Sequence, residues 1–258
     1  MDIATIGGLF LGIFAIFISY TMEGGKIGAI IQLPAMLLVI FGTIGAATIT
    51  TSLKNVLRLP VYLKVALFSK EYNSIEIIEK IVKMAEKARK EGVLALEAEL
   101  KTLNNPFFKK AMQLVIDGTE VTVLRSILET EVVYISERHK KGAALFQKLG
   151  GFSPTLGILG TVLGLIKTLG STEDAGKMAE SIAGAFIATL WGVGMANLVY
   201  LPISDKLKHR HEEEQMLLEL IMEGAISIQS GDNPRVIRTK LLSFITPSLR
   251  TEGAQAKK

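Results

Sequence analysis

The chain has 258 residues, of which 49% are hydrophobic and 21% charged, and its mean hydropathy is +0.38. This mixture predicts a membrane protein with a substantial part outside the membrane, and the small net charge of +4, with no basic stripe, argues against nucleic-acid binding. The sequence has no Cys, which excludes disulfides, thiolate chemistry and Cys metal sites.

Two apolar segments near the start of the sequence predict two membrane-spanning helices, which together make up residues 1–53. Residues 3–20 are uncharged and lack the basic region and cleavage site of a signal peptide, so we expect this span to be retained. Residues 27–53 are long enough to span with a tilt. Pro34 lies in the opening turns of that segment, where a missing N–H costs least.

Residues 54–148 change to an amphipathic, charged pattern, which predicts a helical domain outside the membrane. Asn73 begins a capping motif, and Gly92 would end the helix that follows it. A second helix is predicted over residues 93–103, and Asn105 with the Pro after it predicts the start of a third.

The helical pattern from about residue 119 has no interruption before the Gly150-Gly151 pair, and Asp117-Gly118 precedes it as a break. We therefore expect this helix to continue into the next apolar segment. The resulting rod would contain roughly 50 residues and be about 75 Å long.

Residues 149–202 form an apolar hairpin with two further predicted spans, residues 152–169 and 182–201. Each has about 18 to 20 residues, which is enough to cross a hydrocarbon core of about 30 Å. Neither segment contains Asp, Glu, His or Arg, and Lys167 lies near an end, where its stem can reach the interface. An ion conductor driven by a gradient normally carries an ionisable group inside the membrane. If this chain conducts ions, the titrating carboxylate must come from a partner.

Small residues recur at helical spacing in both hairpin segments, and in a bilayer such residues allow helices to pack closely. Pro154, Thr161 and Thr189 are less easily explained by packing, although a Thr hydroxyl can bond back to its own helix and a Pro frees a carbonyl that needs another donor. The residues predicted to pack are Gly157, Gly160 and Gly164 in the first segment, and Gly184, Ala188 and Gly192 in the second.

The remaining part, residues 203–258, predicts a helical continuation over 206–229, a turn at 230–234, a short helix to about residue 244 and a disordered end at 251–258. Lys and Arg concentrate in residues 54–148 and in this tail. The two short loops hold almost none, and the one at 170–181 is acidic, with Glu173, Asp174 and Glu180. This asymmetry predicts four spans with both termini in the cytoplasm.

Two charged clusters outside the spans have a structural and a functional interpretation. His209 and His211 are two positions apart on a predicted helix and point in different directions, which favours a solvated charged face over a metal site. Arg89, Lys90 and Glu97 flank the turn at residue 92; such a run is typical of a solvated face, but it could also dock a charged partner. No catalytic arrangement is recognisable, so we expect no enzyme activity.

Three stretches of the sequence carry a resemblance to a known family: Gly151-Phe-Ser-Pro-Thr-Leu-Gly-Ile-Leu-Gly-Thr161, Ala185-Phe-Ile-Ala-Thr-Leu-Trp-Gly192 running on to Pro202, and Arg89 with Glu97. In these stretches most strongly, the chain resembles the MotA and PomA stator subunits of the bacterial flagellar motor, within the larger group that contains ExbB and TolQ. The resemblance covers nearly the whole chain, and four spans with a large inner loop fit MotA better than ExbB or TolQ, which have three spans. Gly194 is a departure, because a bulky aliphatic residue is expected there, and it loosens local packing.

The resemblance implies an all-α, multi-pass inner-membrane protein with four transmembrane helices and a cytoplasmic helical domain built from the TM2–TM3 loop and the C-terminal tail. It implies a pentamer of this subunit around a dimer of MotB, whose membrane Asp is the missing carboxylate, and ion flow that turns the rotor protein FliG to support motility and chemotaxis. By matching position, Pro154 and Pro202 lie at the ion path. Arg89 and Glu97, with neighbouring charges such as Lys90, would face the rotor.

The coupling ion, H+ or Na+, is the only small species that the resemblance implies, and no cofactor is expected. Sodium-driven PomA-like members carry Thr at the position of Thr161, where many proton-driven MotA chains carry Ala, and Thr189 occurs in both groups. A ring of hydroxyl oxygens suits a hard cation, which favours sodium, while the overall MotA-like sequence keeps protons open. Two alternatives also stay open: an ExbB/TolQ-type energiser of envelope transport, and a membrane scaffold without ion flux.

Overall fold

The computed structural model describes residues 2–68, 73–170 and 175–246, and in these segments the chain is helical without a β-strand. The all-α prediction is therefore confirmed for this part of the chain. The predicted acidic residues Glu173 and Asp174, and the predicted disordered end at 251–258, lie outside the described residues. The helices are α1 (Ile3–Met22), α2 (Ile27–Ile30), α3 (Leu33–Ile49), α4 (Leu53–Val56), α5 (Leu59–Phe68), α6 (Ser74–Glu91), α7 (Glu97–Leu100), α8 (Pro106–Ile116), α9 (Val121–Leu169), α10 (Ala175–Met195), α11 (Leu201–Gln229) and α12 (Pro234–Leu242).

The chain divides into two compact units. The first unit contains Met1–Lys70 and His139–Arg210, and the second contains Glu71–Arg138 and His211–Lys258. Within the described residues, three helical stretches are long and apolar enough to cross a membrane: Ile3–Met22, Val121–Leu169 and Gly176–Gln229. Helix α3 is apolar and has 17 residues, at the short end of the range of about 17–25 that spans a bilayer.

The predicted single span over residues 27–53 is wrong in its continuity, because the structure divides it into α2 and α3. Gln32 between them has an extended backbone, with φ −112° and ψ 106°. Pro34 explains the break, since its ring would clash with the carbonyl of Ile30 in a continuous helix. The Ile30 carbonyl instead accepts a hydrogen bond from the indole N–H of Trp191, at 2.9 Å.

The predicted long rod is confirmed. Helix α9 contains 49 residues and continues through the Gly150-Gly151 pair and through Pro154. The second hairpin segment differs from the predicted 182–201, since α10 already begins at Ala175 and ends at Met195. A π-helical turn, Ala196–Tyr200, joins α10 to α11.

The N-terminus of the first unit is fixed by an ionic cluster around Asp2. Its carboxylate accepts a hydrogen bond from the Thr5 N–H at 3.1 Å, forms an ion pair with Arg210 at 2.8 Å, and contacts the Lys206 ammonium. The hydrogen bond from Lys206, followed by that from Thr5, holds the pKa of Asp2 well below its usual range. Because the backbone N–H of Asp2 also bonds the Leu67 carbonyl at 3.0 Å, the start of α1 is held to both α5 and α11.

In the second unit, the predicted caps are confirmed by side-chain bonds. Asn73 Oδ1 accepts from the Glu76 N–H at 3.2 Å, Asn105 Oδ1 accepts from the Phe108 N–H at 3.1 Å, and Gly92 ends α6 with φ +88°. The predicted helix over residues 93–103 is wrong. A 3₁₀ turn, Val93–Leu96, and the four-residue α7 replace it, since the chain here turns to bury Leu96 and Leu100 against the core.

The core of the second unit is formed by α6, α8, α12 and the parts of α9 and α11 that belong to this unit. Helices α9 and α11 contribute buried side chains to this same core. The buried residues from these two helices include Leu124, Leu128 and Val132 of α9, and Leu217, Leu220 and Ile221 of α11.

The prediction of a fully solvated face at His209 and His211 is wrong for His211. His209 is exposed, but His211 is half-buried, with its Nε2 at 3.0 Å from Ser136 Oγ. Glu214, one turn further on, is also half-buried. Burial raises the pKa of its carboxyl, while the charges of His211 and Arg138 oppose that shift. This side of α11 therefore packs against the protein and is not a free charged face.

Candidate functional site

In the first unit, α9 and α10 approach each other so closely that side chains larger than hydrogen are excluded at several positions. A Cβ at Gly157 would lie 2.8 Å from the Ala188 carbonyl oxygen, and a Cβ at Gly192 would lie 2.7 Å from the Ser153 carbonyl oxygen. A Cβ at Gly164 would lie 2.5 Å from Ala185 Cβ. Real Cβ atoms are not found at such distances from other heavy atoms, and neither a backbone carbonyl nor an alanine Cβ can rotate away, so these glycines set the distance between the two helices.

The other two glycines predicted to pack have different surroundings. A Cβ at Gly160 would meet both Ala188 Cβ at 2.6 Å and Leu38 of α3 at 3.0 Å, so this position lies where three helices meet. Gly184 does not face α9: its Cβ would lie 2.9 Å from the side-chain nitrogen of Gln32, at the break between α2 and α3. The role of these residues in helix packing stays a prediction, while their positions show which neighbours each would affect.

A pair of hydroxyl groups lies in the tight contact between α9 and α10. The Thr161 and Thr189 Oγ1 atoms are 2.5 Å apart, and Thr161 Oγ1 is also 3.1 Å from the Ala185 carbonyl oxygen and 3.2 Å from that of Gly157. A hydroxyl has one proton to donate and two lone pairs. Thr161 can therefore donate to only one of these acceptors, and the arrangement gathers two hydroxyl and two carbonyl oxygens. Oxygen ligands of this kind suit a hard cation.

Ser153 belongs to the same contact, and the sequence analysis missed it. Its side chain is fully buried, and its hydroxyl donates to the Gly192 carbonyl at 2.9 Å, across from α9 to α10. The available signal was its position four residues before Gly157, which places both residues on one helical face. Ser153 thus adds a buried hydrogen bond to the contact between α9 and α10.

Neither predicted proline lies next to the hydroxyl pair. Pro154 is half-buried inside α9, seven residues before Thr161, which is about 10 Å along the helix. Its missing N–H leaves the Gly150 carbonyl without its usual donor. Pro202 is exposed near the start of α11, 13 residues after Thr189, or about 20 Å along the chain, and directly follows the π-helical turn and Leu201. The structure therefore joins the two Thr residues and leaves the two Pro residues separate from them.

A crevice of about 610 Å³ between α3, α9 and α10 connects the hairpin's polar end to the neighbourhood of the hydroxyl pair. Lys167, Thr168 and Glu180 line its polar end, together with Gln32. Its inner end reaches Ala188, which precedes Thr189 in the chain. Both polar and small residues therefore line this crevice.

The second unit carries the predicted charged cluster at the α6–α7 junction. Arg89, Lys90 and Glu97 are exposed, and in the described part of the chain none of them forms an ion pair. The neighbouring Lys87 and Glu99 do pair, at 2.9 Å, and this hydrogen bond raises the pKa of Lys87. The three predicted residues therefore present their charges to solvent.

Comparison with known proteins gives one consistent result. Residues 99–220 match the family described as the MotA/TolQ/ExbB proton channel family, and residues 6–92 match the family described as Motility protein A N-terminal. Motility protein A of Borreliella burgdorferi is 38% identical over 98% of this chain and 97% of its own length, and Chemotaxis protein PomA of Vibrio alginolyticus is 35% identical over 97% and 98%.

Solved structures agree with the sequence matches. The chain resembles the structure of C. jejuni MotAB with a TM-score of 0.91 and 31% identity, covering 96% of this chain and 97% of that chain. It resembles the flagellar MotAB stator complex from Bacillus subtilis with a TM-score of 0.90 and 32% identity, covering 96% and 98%.

Proposed function

The chain belongs to the MotA/TolQ/ExbB proton channel family, within its motility protein A group, and on this basis we propose that it is the ion-conducting stator subunit of a bacterial flagellar motor. The observation that carries the proposal is the similarity to motility proteins over both units, including the part outside the apolar segments. A match limited to the hairpin would have supported TolQ- and ExbB-like proteins equally.

The chain acts in the inner membrane as a multi-pass protein with both termini in the cytoplasm. Three apolar helical stretches support this placement, and α3 supplies the fourth span. The Lys and Arg residues of residues 54–148 and of the tail then lie on the cytoplasmic side. On this topology the second unit is the cytoplasmic domain, built from the TM2–TM3 loop and the C-terminal tail.

The partner is a dimer of a MotB-like subunit, with this chain as a pentamer around it. The hairpin carries no carboxylate between residues 152 and 169 or between 182 and 201. Proton or sodium transfer through it therefore requires an acid from another chain, and a membrane Asp on the partner meets that need.

Thr161 and Thr189 hold the ion on its way to that Asp, and Pro154 and Pro202 shape the path beyond them. The hydroxyl oxygen of Thr161 and the three oxygens around it form a site for a desolvated sodium ion, while a proton needs no such set of ligands. Sodium is therefore the favoured ion. Pro154 and Pro202 weaken the backbone bonding of α9 and of the α10–α11 connection, which gives the hairpin two places where it can bend as the ion moves.

Arg89, Lys90 and Glu97 contact the rotor protein FliG. Exposed charges of both signs steer and orient a charged partner more than they tighten its binding. We expect Arg89→Glu to impair torque while the complex with the MotB-like subunit still assembles. Loss of the purified complex in this variant would assign Arg89 to structure and not to the rotor contact.

The test of the whole proposal is the swimming speed of a stator-deletion strain that carries this protein and its cognate partner, as sodium is replaced by potassium at fixed pH. Speed that falls with sodium supports a sodium motor. A speed that does not depend on the sodium concentration but is abolished by a protonophore supports a proton motor. If the cells do not swim, but the chain restores envelope transport together with an ExbD- or TolR-like partner, the chain is an energiser of envelope transport and not a motor subunit.

The role of the hydroxyl pair is tested with Thr161→Ala, with Thr130→Ala as the control. Thr130 lies on the same helix, is exposed, and donates only to the Ser126 carbonyl, at 2.8 Å. We expect Thr161→Ala to raise the sodium concentration needed for half-maximal speed and Thr130→Ala to leave it unchanged. Equal sodium dependence in both variants would remove Thr161 from the ion site.

A further inference from the structure

We propose that the acyl chain of a membrane phospholipid occupies an apolar crevice between α1 and α10, in the space that Gly194 leaves open. The crevice has a volume of about 110 Å³. It is lined by Ile13, Ile16 and Phe17 of α1 and by Leu190, Trp191 and Gly194 of α10, among others.

The space exists because residue 194 has no side chain. A Cβ at Gly194 would meet no atom within 4 Å, in contrast to Gly12, across the same interface, where a Cβ would lie 2.9 Å from Leu198. Helix α1 thus contacts the π-helical turn at Gly12, whereas open space lies beside α10 at Gly194. An aliphatic side chain at residue 194 would fill the gap.

The chemistry of the lining selects a hydrocarbon. Its side chains are apolar except for the indole N–H of Trp191, which already donates to the Ile30 carbonyl at 2.9 Å. An apolar cavity of this order, such as one of about 150 Å³, stays dry and accepts a benzene-sized molecule, because water would find no hydrogen-bond partners there. A few methylene groups match both the volume and the polarity.

The position of the crevice determines which hydrocarbon reaches it. Ile13 and Ile16 lie near the middle of α1, a helix of 20 residues with no buried residue, and the outward side chains Phe10 and Phe14 continue the apolar surface. In a spanning helix, this depth is the hydrocarbon core of the bilayer, where lipid tails are the solvent. The crevice is thus continuous with the face of α1 that the tails cover.

A tail in this position would add contacts to both helices where the protein leaves them apart. Apart from its ends, α1 has few protein neighbours, and dispersion contacts with a held chain would stabilise its packing on α10. This inference rests on the chain spanning a membrane and is independent of motor function or the coupling ion. Its failure would therefore leave the stator proposal unaffected.

Trp191 makes the crevice directly measurable, because it is the only Trp in the chain and lines the crevice. The protein is reconstituted with its partner in vesicles of phosphatidylcholine whose acyl chains carry bromine at mid-chain, which quenches indole fluorescence on contact. The signal of Trp191 is the difference between wild type and Trp191→Phe. We expect strong quenching, greater than with bromine near the headgroup.

Gly194→Leu fills the crevice, and we expect it to reduce the mid-chain quenching, because the new side chain shields the part of Trp191 that lines the crevice. Gly8→Leu is the matched control. It makes the same exchange in an apolar helix at an exposed residue, where a Cβ meets nothing within 4 Å, and quenching should not change. Leu198→Ala, which enlarges the crevice, should increase quenching and keeps the test decisive if Gly194→Leu does not fold.

Three results would overturn the proposal. Equal quenching in wild type and in the folded Gly194→Leu variant would mean that bromine reaches Trp191 by another route. Weak mid-chain quenching in wild type, with cross-links from residue 194 to a second copy of the chain, would mean that protein fills the crevice. Unchanged quenching in Leu198→Ala would mean that no tail enters the space.

Discussion

A single added methyl group at Gly157 tests how closely α9 and α10 must pack to keep the hydroxyl pair together. The new Cβ would lie 2.8 Å from the Ala188 carbonyl oxygen and 3.0 Å from Thr189 Cα. Both are backbone atoms, which cannot rotate away as a side chain can. Since ordinary carbon–oxygen contacts begin at about 3.3 Å and carbon–carbon contacts at about 3.5 Å, Gly157→Ala must separate the helices locally by about 0.5 Å.

That separation has a structural and an energetic consequence. The bond from Thr161 Oγ1 to the Ala185 carbonyl, now 3.1 Å, would lengthen beyond hydrogen-bonding range, while the shorter bond to Thr189 would survive. Overpacking of this kind costs about 1–3 kcal/mol, and the better helix propensity of Ala offsets up to about 1 kcal/mol. We expect a net destabilisation of up to about 2 kcal/mol.

The assay is the thermal midpoint of the purified complex in detergent, measured together with swimming speed. Gly151→Ala is the matched control, since it lies on the same helix, gains the same propensity and places its Cβ where no atom lies within 4 Å. Gly157→Ala should lower the midpoint and the speed, and Gly151→Ala should lower neither. Equal midpoints and speeds in the two variants would refute the argument that backbone contact at Gly157 sets the helix distance.

Three further substitutions test contacts elsewhere in the chain. Asp2→Asn should destabilise the protein at neutral pH by about 1–3 kcal/mol, because two cationic partners lose a buried carboxylate. The folded pKa of Asp2 lies below its unfolded value, so its stabilisation is present above about pH 4 and is lost as the pH falls further; in a pH series of thermal midpoints, the variant should therefore lose less stability in acid than wild type. Asn105→Ala removes a helix cap and should lower the midpoint by the equivalent of about 1 kcal/mol, whereas Asn104→Ala, at an exposed neighbour, should not. Ser153→Ala removes a buried inter-helix bond and should cost about 1 kcal/mol, more than Thr155→Ala, whose exposed hydroxyl bonds within its own helix.

Each of these predictions has an outcome that contradicts it. If the thermal midpoints of wild type and Asp2→Asn fall by the same amount as the pH is lowered into the acid range, the Asp2 carboxylate is not ion-paired in solution. Equal midpoints for the two Asn variants would mean that the cap at residue 105 is replaced by water. If Ser153→Ala and Thr155→Ala unfold at the same temperature, the bond across the hairpin contributes nothing measurable.

The parts of the fold that the sequence predicted are those governed by local chemistry. Asn73, Gly92 and Asn105 were recognised because capping depends on one side chain and its nearest backbone groups. The long α9 was recognised because nothing in its pattern stops a helix. The break before α3 was missed because hydropathy does not detect the clash between Pro34 and the Ile30 carbonyl, although the proline itself was visible.

The candidate site was predicted in composition but not in arrangement. Thr161 and Thr189 could be singled out in their segments, but their 2.5 Å contact depends on the register between two helices, which no pattern within one helix contains. For the same reason, the sequence did not reveal the hydrogen bond from Ser153 to α10 or the contact of Gly184 with Gln32. Tertiary register is set by how the side chains of both helices fit together, so it appears only when both are in place.

The π-helical turn Ala196–Tyr200 has a consequence for the genetics of the chain. An α-helix rotates by about 100° per residue, so losing one codon elsewhere in α10 would turn all later residues to a different face. A π turn already contains one residue more than an α turn. Loss of the codon for the exposed Asn197 would therefore relax the turn to α geometry and keep both flanks in phase, with Thr189 still facing Thr161. In a scan of single-codon deletions through this segment, cells should stay motile when the deleted codon lies within the turn. They should lose motility when the deleted codon lies on either side of it.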